Sequence, residues 1–257
     1  MSATPSTMLL DPALDNEYQH SALPHRTAPG NANGNRKKNT MRLQKNSFAA
    51  MSLAGALAGF AGISMVQAEN AGVTYKAELS PLNSKTTGSS ARGEATFTIS
   101  GDRLTIHVTA KGVPPNMEHI QHFHGFAKGD RTSRCPTARD DKNRDGIIDI
   151  VETEPVAGTT MVPFDDDPVG MSMVNDTFPR AGMDGSYSYE KTVSLKALEA
   201  TFTKIFPGQQ LDLDRRVVFL HGVPASTKLP ATVASLDHIP AQVVLPIACG
   251  AIKKVRD

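Results

Sequence analysis

Apolar and polar residues alternate over several short stretches of the chain. Residues 73–79 place Val, Tyr, Ala and Leu at every second position, with polar residues between them. Ala95, Phe97 and Ile99 repeat this pattern, and residues 104–110 repeat it again after a turn at Gly101-Asp102. A period of two is typical of strands with one buried face, and two such runs joined by a short Gly-containing turn predict a hairpin.

Further strands are predicted at residues 119–126, 186–195, 215–222 and 241–253. Between them, apolar residues recur at helical spacing from Leu195 to Ile205, and Pro207-Gly208 ends this single predicted helix. Many short strands separated by Gly and Pro predict an all-β fold, a Greek-key barrel or sandwich. The connection from Gly125 to Ser186 is too long to be featureless, so we expect it to carry structure or function.

The first 68 residues predict an export signal and not a part of the fold. Residues 1–40 are polar and show no hydrophobic period, so they are predicted to be disordered or an over-extended start. Residues 41–68 have a basic start, an apolar stretch and the ending Val66-Gln67-Ala68, which predict a signal peptide cleaved after Ala68. A membrane anchor is the alternative. Cleavage predicts a single β domain over 69–257, a periplasmic or extracellular location and no stable membrane span.

The amino-acid composition argues against several classes of function. The 257 residues carry a formal net charge of +1, which argues against a nucleic-acid-binding protein, since such a domain is strongly basic. Aromatic residues make up 5% of the chain and Trp is absent, so few side chains are available on which nucleic-acid bases or sugars could stack. The two cysteines, Cys135 and Cys249, exclude a four-cysteine zinc module. In an oxidising compartment we expect these two cysteines to form a disulfide.

The long connection contains a twelve-residue segment, residues 141–152, with the spacing of a calcium-binding loop. Side-chain oxygens occur at its positions 1, 3, 5, 9 and 12, the glycine Gly146 at position 6, and a backbone carbonyl is offered at position 7. The predicted calcium ligands are Asp141, Asn143, Asp145, Ile147, Asp149 and Glu152. An acidic turn without a metal is the alternative. The flanking prolines argue against paired helices. The loop is therefore interpreted as a calcium site that stabilises the fold and does not act as a switch.

Histidines form the second candidate site. His122 and His124 are two residues apart, which places both side chains on one face of a strand about 7 Å apart. His221 ends an apolar run and could supply a third imidazole, with copper(II) or zinc as the ion and His119 as a candidate fourth ligand. Ordinary core or surface histidines are the alternative interpretation. His107 is predicted to be solvated, and His238 has no assigned role.

These features occur in an order that resembles the copper/zinc superoxide dismutase family, a Greek-key β-barrel. The resemblance rests on His122-Phe123-His124, the Cys in the following loop, the late His221-Gly222 and the C-terminal segment 248–252, Ala-Cys-Gly-Ala-Ile. It implies that the three histidines ligate copper and that Cys135–Cys249 is the family's bridge. Leu79, Asn83 and the strand near Gly93 also resemble the chordin-type repeat (CHRD) domain of exported bacterial proteins.

The chain departs from the dismutase pattern at functional positions. No histidine lies between Gly125 and Leu220, where the family has its bridging and zinc ligands, and Pro246 stands where the family has an arginine that attracts superoxide. We therefore predict an exported metal-binding protein that is calcium-stapled, binds copper or zinc and is not a fast enzyme. A divergent copper-dependent superoxide dismutase is the alternative. No residue is assigned a catalytic role, and metal ions are the only partners predicted.

Overall fold

The computed structural model describes residues 72–173, 176–236 and 238–256. The predicted disordered start and signal peptide, residues 1–40 and 41–68, lie outside these residues and remain predictions. In the part of the chain that is described, no helix is long and apolar enough to cross a membrane.

Nine antiparallel strands make up one curled sheet. In chain order they are β1 (Val73–Pro81), β2 (Arg92–Ser100), β3 (Arg103–Lys111), β4 (Gln121–Gly125), β5 (Thr159–Pro163), β6 (Ser186–Ser194), β7 (Val217–His221), β8 (Pro246–Ala251) and β9 (Lys253–Lys254). Their order across the sheet is β5-β4-β7-β8-β1-β2-β3-β6, and β9 pairs with β1. The predicted all-β class is confirmed.

Side chains connect the two ends of the curled sheet. The Tyr189 hydroxyl on β6 donates a hydrogen bond of 2.7 Å to the carbonyl of Asp165, just beyond β5. The Tyr187 hydroxyl donates to Gln121 Oε1 on β4 at 3.0 Å. Within the described strands, β5 and β6 share no backbone ladder. The sheet is a half-barrel, and the hydroxyls of these two tyrosines bridge its open side.

The main core lies inside this curl and is built from the alternating residues that the sequence pattern predicts. Phe97, Leu104 and Ile106 are fully buried there, together with Phe123 of β4 and Phe164 after β5. The β2–β3 hairpin pairs in register from Arg92↔Lys111 to Ser100↔Arg103. Period-two alternation therefore predicted both the strands and the faces that they bury.

Four short helices and one 3-10 turn connect the described strands. They are α1 (Ser84–Thr87), α2 (Ile150–Ala157), α3 (Leu195–Ile205), the 3-10 turn Leu213–Arg215 and α4 (Ala241–Val244). The predicted helix at 195–205 is α3, which buries Leu198 and Phe202 on one side and is capped by the Ser194 hydroxyl at the Ala197 N–H.

One local prediction is wrong. The segment 241–253 does not start as a strand, because the chain turns into α4 after Pro240, with Leu245 N bonded to the carbonyl of Ala241. The predicted calcium loop is not flanked by paired helices, as expected, because residues 131–140 before it form no helix and only α2 follows it. Asp149 caps its first turn and Glu152 reaches back to the Asp149 N–H, which stabilises the helix start despite Pro155.

The predicted disulfide between Cys135 and Cys249 is confirmed. It joins the long connection between β4 and β5 to the middle of β8, across 114 positions of the chain. Cys249 belongs to a small second apolar cluster on the outer side of the sheet, together with Ala157, Val217 and Phe219. The long connection therefore covers this outer face and buries β4 and β7 on both sides.

Candidate metal centre

The three candidate histidines lie on the outer face of β4 and β7, opposite the main core. On β7, Val218 and Leu220 belong to the main core, whereas Val217 and Phe219 belong to the outer cluster. His221 continues the outward series. On β4, Phe123 points into the main core, so His122 and His124 on either side of it point outward.

The structure brings His122, His124 and His221 together. One ring nitrogen of each lies within 4.8 Å of the others. The rings of His122 and His124 are 4.7 Å apart between centroids, as are those of His122 and His221. This is closer than the 7 Å expected for a flat strand. A register shift between Phe123 and His124 accompanies the closer approach, as bulges re-aim side chains.

Backbone carbonyls orient two of the three rings. His124 Nδ1 lies 2.8 Å from the carbonyl oxygen of Gly158, and His221 Nδ1 lies 2.6 Å from that of Val244. A carbonyl can only accept, so Nδ1 of each ring carries the proton and Nε2 keeps its lone pair. This is the arrangement in which metal-ligating histidines are held in proteins. Gly158 has a φ of 81° and contacts the backbone of Gly125 too closely to carry a side chain.

Two of the three nitrogens left over lack a protein partner. His122 Nδ1 and His221 Nε2 are buried and have no hydrogen-bond partner among the described residues. His124 Nε2 lies 3.2 Å from the Thr160 hydroxyl on β5, which is its one neighbour of this kind. Buried polar atoms are normally satisfied. Two orphaned nitrogens in one cluster therefore fit a bound metal ion.

Burial keeps the three imidazoles neutral. Their exposed fractions are 3%, 7% and 5%, and desolvation is the main cause that lowers each pKa. The pKa of His124 falls to about 3 and that of His221 to about 4, while that of His122 falls well below its usual value. Repulsion by His221 lowers the pKa of His122 and His124 further. Neutral rings have the free lone pair that a metal requires.

His119 does not join this group. Its Nδ1 lies 2.9 Å from the carbonyl oxygen of His221, and its Nε2 lies 2.9 Å from that of Pro114. The ring stacks on Tyr187 at 5.9 Å and is fully buried. Because both ring nitrogens contact backbone oxygens, His119 holds the chain at the end of β7 and leaves no nitrogen for an ion. His119 is therefore not a fourth ligand of this group, contrary to the prediction.

The predicted calcium ligands do not converge as the histidines do. Among the described residues, the histidine triad is the only group of three or more His, Cys, Asp or Glu with ligand atoms close enough to share an ion. The loop's side chains instead accept hydrogen bonds from backbone N–H groups. Asn143 accepts from Asp145 N, Asp145 from Ile147 N, Asp149 from Val151 N, and Glu152 from Lys142 N at 2.6 Å.

Two features of this loop retain the character of an ion site. Gly146 has a φ of +85°, the turn that position 6 requires. Asp141 Oδ2 accepts from the Gly146 N–H, while Asp141 Oδ1 is buried without a partner in the described structure. The carbonyl of Ile147, a fully buried residue, belongs to the same turn. The loop is thus a well-ordered acidic turn with one unsatisfied carboxylate oxygen.

Sequence reasoning missed the groups that position the histidines. The Gly158 and Val244 carbonyls and the Thr160 hydroxyl lie 34, 23 and 36 positions from their histidines. Backbone carbonyls occur at every residue and leave no sequence signal. Thr160 is the fourth residue to line the group, and only the β4–β5 pairing His124↔Thr160 identifies it.

No protein-family model matches the chain, and no curated protein sequence matches it. Among solved structures, a Cu/Zn superoxide dismutase from Brucella abortus is similar at 17% sequence identity, with a TM-score of 0.35, over 70% of this chain and 99% of that chain. The chordin-type resemblance is not addressed by these matches and stays a prediction.

Proposed function

We propose that this chain is an exported metal-binding protein whose His122, His124 and His221 hold one copper or zinc ion. A single observation carries the proposal, namely the three buried, neutral imidazoles with ring nitrogens within 4.8 Å of one another. Metal–nitrogen bonds of about 2.0–2.1 Å need nitrogens about 3.3–4.2 Å apart, so small side-chain shifts complete the site.

Burial argues for holding an ion and against rapid turnover. None of the three histidines is more than 7% exposed, and superoxide needs an open path to the metal. A fast dismutase also steers its anionic substrate with positive charge, and Pro246 stands where the resemblance would place an arginine. The alternative function, a divergent copper-dependent superoxide dismutase, remains an outcome of the experiment.

The test is metal binding by the full chain after chelator treatment. We expect about one copper or zinc ion per chain by elemental analysis. His122→Ala, His124→Ala and His221→Ala should each lower the affinity at least tenfold, because each removes one of three ligands. His238→Ala is the matched control, since this histidine is exposed and lies outside the group. Equal binding by all four variants would place the ion elsewhere. Rapid superoxide consumption by the copper form would favour the dismutase alternative.

The acidic loop is the basis of a second proposal, that calcium binds residues 141–152 and stabilises the fold. The unsatisfied Asp141 Oδ1 and the Gly146 turn support it. A ligand specific for the native state adds about 2.7 kcal/mol at a hundredfold excess over its dissociation constant. We expect calcium to raise the Tm and a calcium chelator to reverse this rise. Asp141→Asn should abolish the response and Asp176→Asn, an exposed control, should preserve it. An unchanged Tm would leave the loop a metal-free turn.

Export is proposed from the predicted signal peptide, and the disulfide supports it because such bonds persist in oxidising compartments. Expression of the full chain in a bacterium with a periplasm tests it. We expect the mature protein in the periplasmic or extracellular fraction, with Glu69 as its first residue by mass. Retention of the uncleaved chain in the cytoplasm would refute this proposal.

A further inference from the structure

The candidate centre contains no group that could balance the charge of a divalent ion. Its three ligands are neutral imidazoles, and no carboxylate joins them among the described residues. Thiolates are excluded as well, because Cys135 and Cys249 are both in the disulfide. The Thr160 hydroxyl, which contacts one of the ligating nitrogens at 3.2 Å from His124 Nε2, is neutral as well.

One buried cation, Arg216, lies on the opposite face of the sheet. It is 2% exposed, its guanidinium stands over the Phe202 ring of the main core, and it donates to the carbonyls of Leu211 and Gln210. Arg216 therefore supplies no negative charge to the face on which the histidines lie.

The cost of burying an ion grows with the square of its charge, so a divalent ion costs about four times as much to desolvate as a monovalent ion of similar size. Carboxylate or thiolate ligands would offset that cost, and this centre has neither. Zinc held by three protein ligands also takes water as a fourth, and none of the three rings is more than 7% exposed to solvent. A monovalent copper ion is satisfied by three nitrogens alone.

We propose that this centre selects monovalent copper, Cu(I), over Cu(II) and Zn(II). The inference rests on the proposed function, because it requires an ion at the histidine triad, and it specifies which ion. Divalent ions bind the same three nitrogens more weakly, because their second charge has no counterpart in the buried site.

The experiment measures three affinities of the full chain for the bare ions. Cu(I) is measured without oxygen, in competition with the chelator bathocuproine disulfonate, and Cu(II) and Zn(II) are measured by competition with chelators of known affinity. We expect the wild type to bind Cu(I) at least a hundredfold more tightly than Zn(II). The copper complex should accordingly have a reduction potential above that of the aqueous copper ion, because the tighter-bound oxidation state is favoured.

Thr160 offers a charge test at a defined position. Thr160→Asp places a carboxylate beside His124 Nε2, so it should strengthen Zn(II) and Cu(II) binding at least tenfold relative to Cu(I). Thr160→Val has the same shape without the hydroxyl or a charge, and it should preserve the wild-type preference. The reduction potential should fall in the Asp variant and hold in the Val variant.

Two outcomes overturn the inference and are distinguishable from each other. If Zn(II) or Cu(II) binds the triad as tightly as Cu(I), the selectivity is wrong while the metal centre stands. If no ion binds the triad, the proposed function fails and this inference fails with it. The potential of the wild-type copper complex tests the selectivity even if Thr160→Asp does not fold.

Discussion

At the scale of single residues, Asp140 shows how a short acidic segment is held in place. Its carboxylate accepts two hydrogen bonds from Arg134, at 2.8 and 2.9 Å, and one from the Thr137 N–H at 2.7 Å. These bonds, chiefly the one from Arg134, hold the pKa of Asp140 well below its usual range. Asp140 is 5% exposed, and it fixes the segment that leads from Cys135 into the acidic loop.

Asp140→Asn should lower the free energy of unfolding by about 1–3 kcal/mol, because a charged acceptor of several bonds becomes a neutral one. Since the folded pKa lies below the unfolded value of about 3.9, the carboxylate stabilises the protein above pH 4 and this contribution is lost as the pH falls further. Urea unfolding at pH 7 and at about pH 2 measures both effects. Asp166→Asn, at an exposed ion pair with Lys191, should change stability by less than about 0.5 kcal/mol. Equal effects of the two variants would contradict this reasoning.

At the scale of elements, Asn83 joins β1 to two distant segments. Its side chain donates to the carbonyls of Ile148 and Pro246 at 2.9 and 3.0 Å and accepts from the Ile148 N–H at 2.8 Å. Its backbone is left-handed, with a φ of 56°. One side chain therefore ties the end of β1 to the acidic loop and to the start of β8.

Asn83→Gly tests this tie, because glycine accepts the left-handed backbone without strain and removes only the three hydrogen bonds. We expect a loss of about 1–4 kcal/mol. Asn83→Ala should cost about 1 kcal/mol more, since alanine is also strained there. Chemical unfolding of the two variants separates the loss of the hydrogen bonds from the strain of the left-handed backbone. If glycine is neutral, the amide contacts do not hold the loop.

The disulfide acts between the same elements and over a longer stretch of chain. Closing 114 positions is worth about 4–5 kcal/mol if it acts through the entropy of the unfolded chain. We expect Cys135→Ser with Cys249→Ser to lose most of that stability and to weaken metal binding, because the outer cover over Phe219 and the histidines loosens. Denaturant unfolding and metal titration of this double variant measure both. Unchanged metal affinity would show that the cover holds without the bond.

At the scale of the whole molecule, the buried histidines make stability depend on pH. The unfolded chain protonates its histidines near pH 6.5. The folded protein resists protonation until far lower pH, with pKa values of about 3 for His124 and about 4 for His221. Between these limits the unfolded state binds more protons, so stability rises with pH there and is lost as the pH falls.

In chelator-treated protein we expect the free energy of unfolding to fall between pH 6.5 and pH 4.5. Each buried histidine adds a slope of up to about 1.4 kcal/mol per pH unit. His221→Gln should reduce this slope by the contribution of one histidine, up to about 1.4 kcal/mol per pH unit, whatever it does to the absolute stability. His238→Ala should leave the slope unchanged, because this side chain is exposed. Urea unfolding at half-unit pH steps provides the measurement, and a flat profile would show that the triad is protonated in the fold.

The sequence determined the secondary-structure elements and the residue types from which the site is built. Alternation at Phe97, Leu104 and Ile106 predicted the strands and the faces that they bury, because side-chain direction in a strand repeats every two residues. Two cysteines left one disulfide pairing, and the His122–His124 spacing fixed one shared strand face. These are local properties, or counts, that need no knowledge of distant contacts.

The tertiary structure decided what the histidines can do. Only folding brings His221 of β7 beside His122 and His124 of β4, supplies the Gly158 and Val244 carbonyls and buries all three rings under a long connection. The same packing gives both nitrogens of His119 to backbone oxygens. Hydrogen bonds and burial join residues far apart in the chain, so no local pattern encodes them, and here they separate a ligand from a structural histidine.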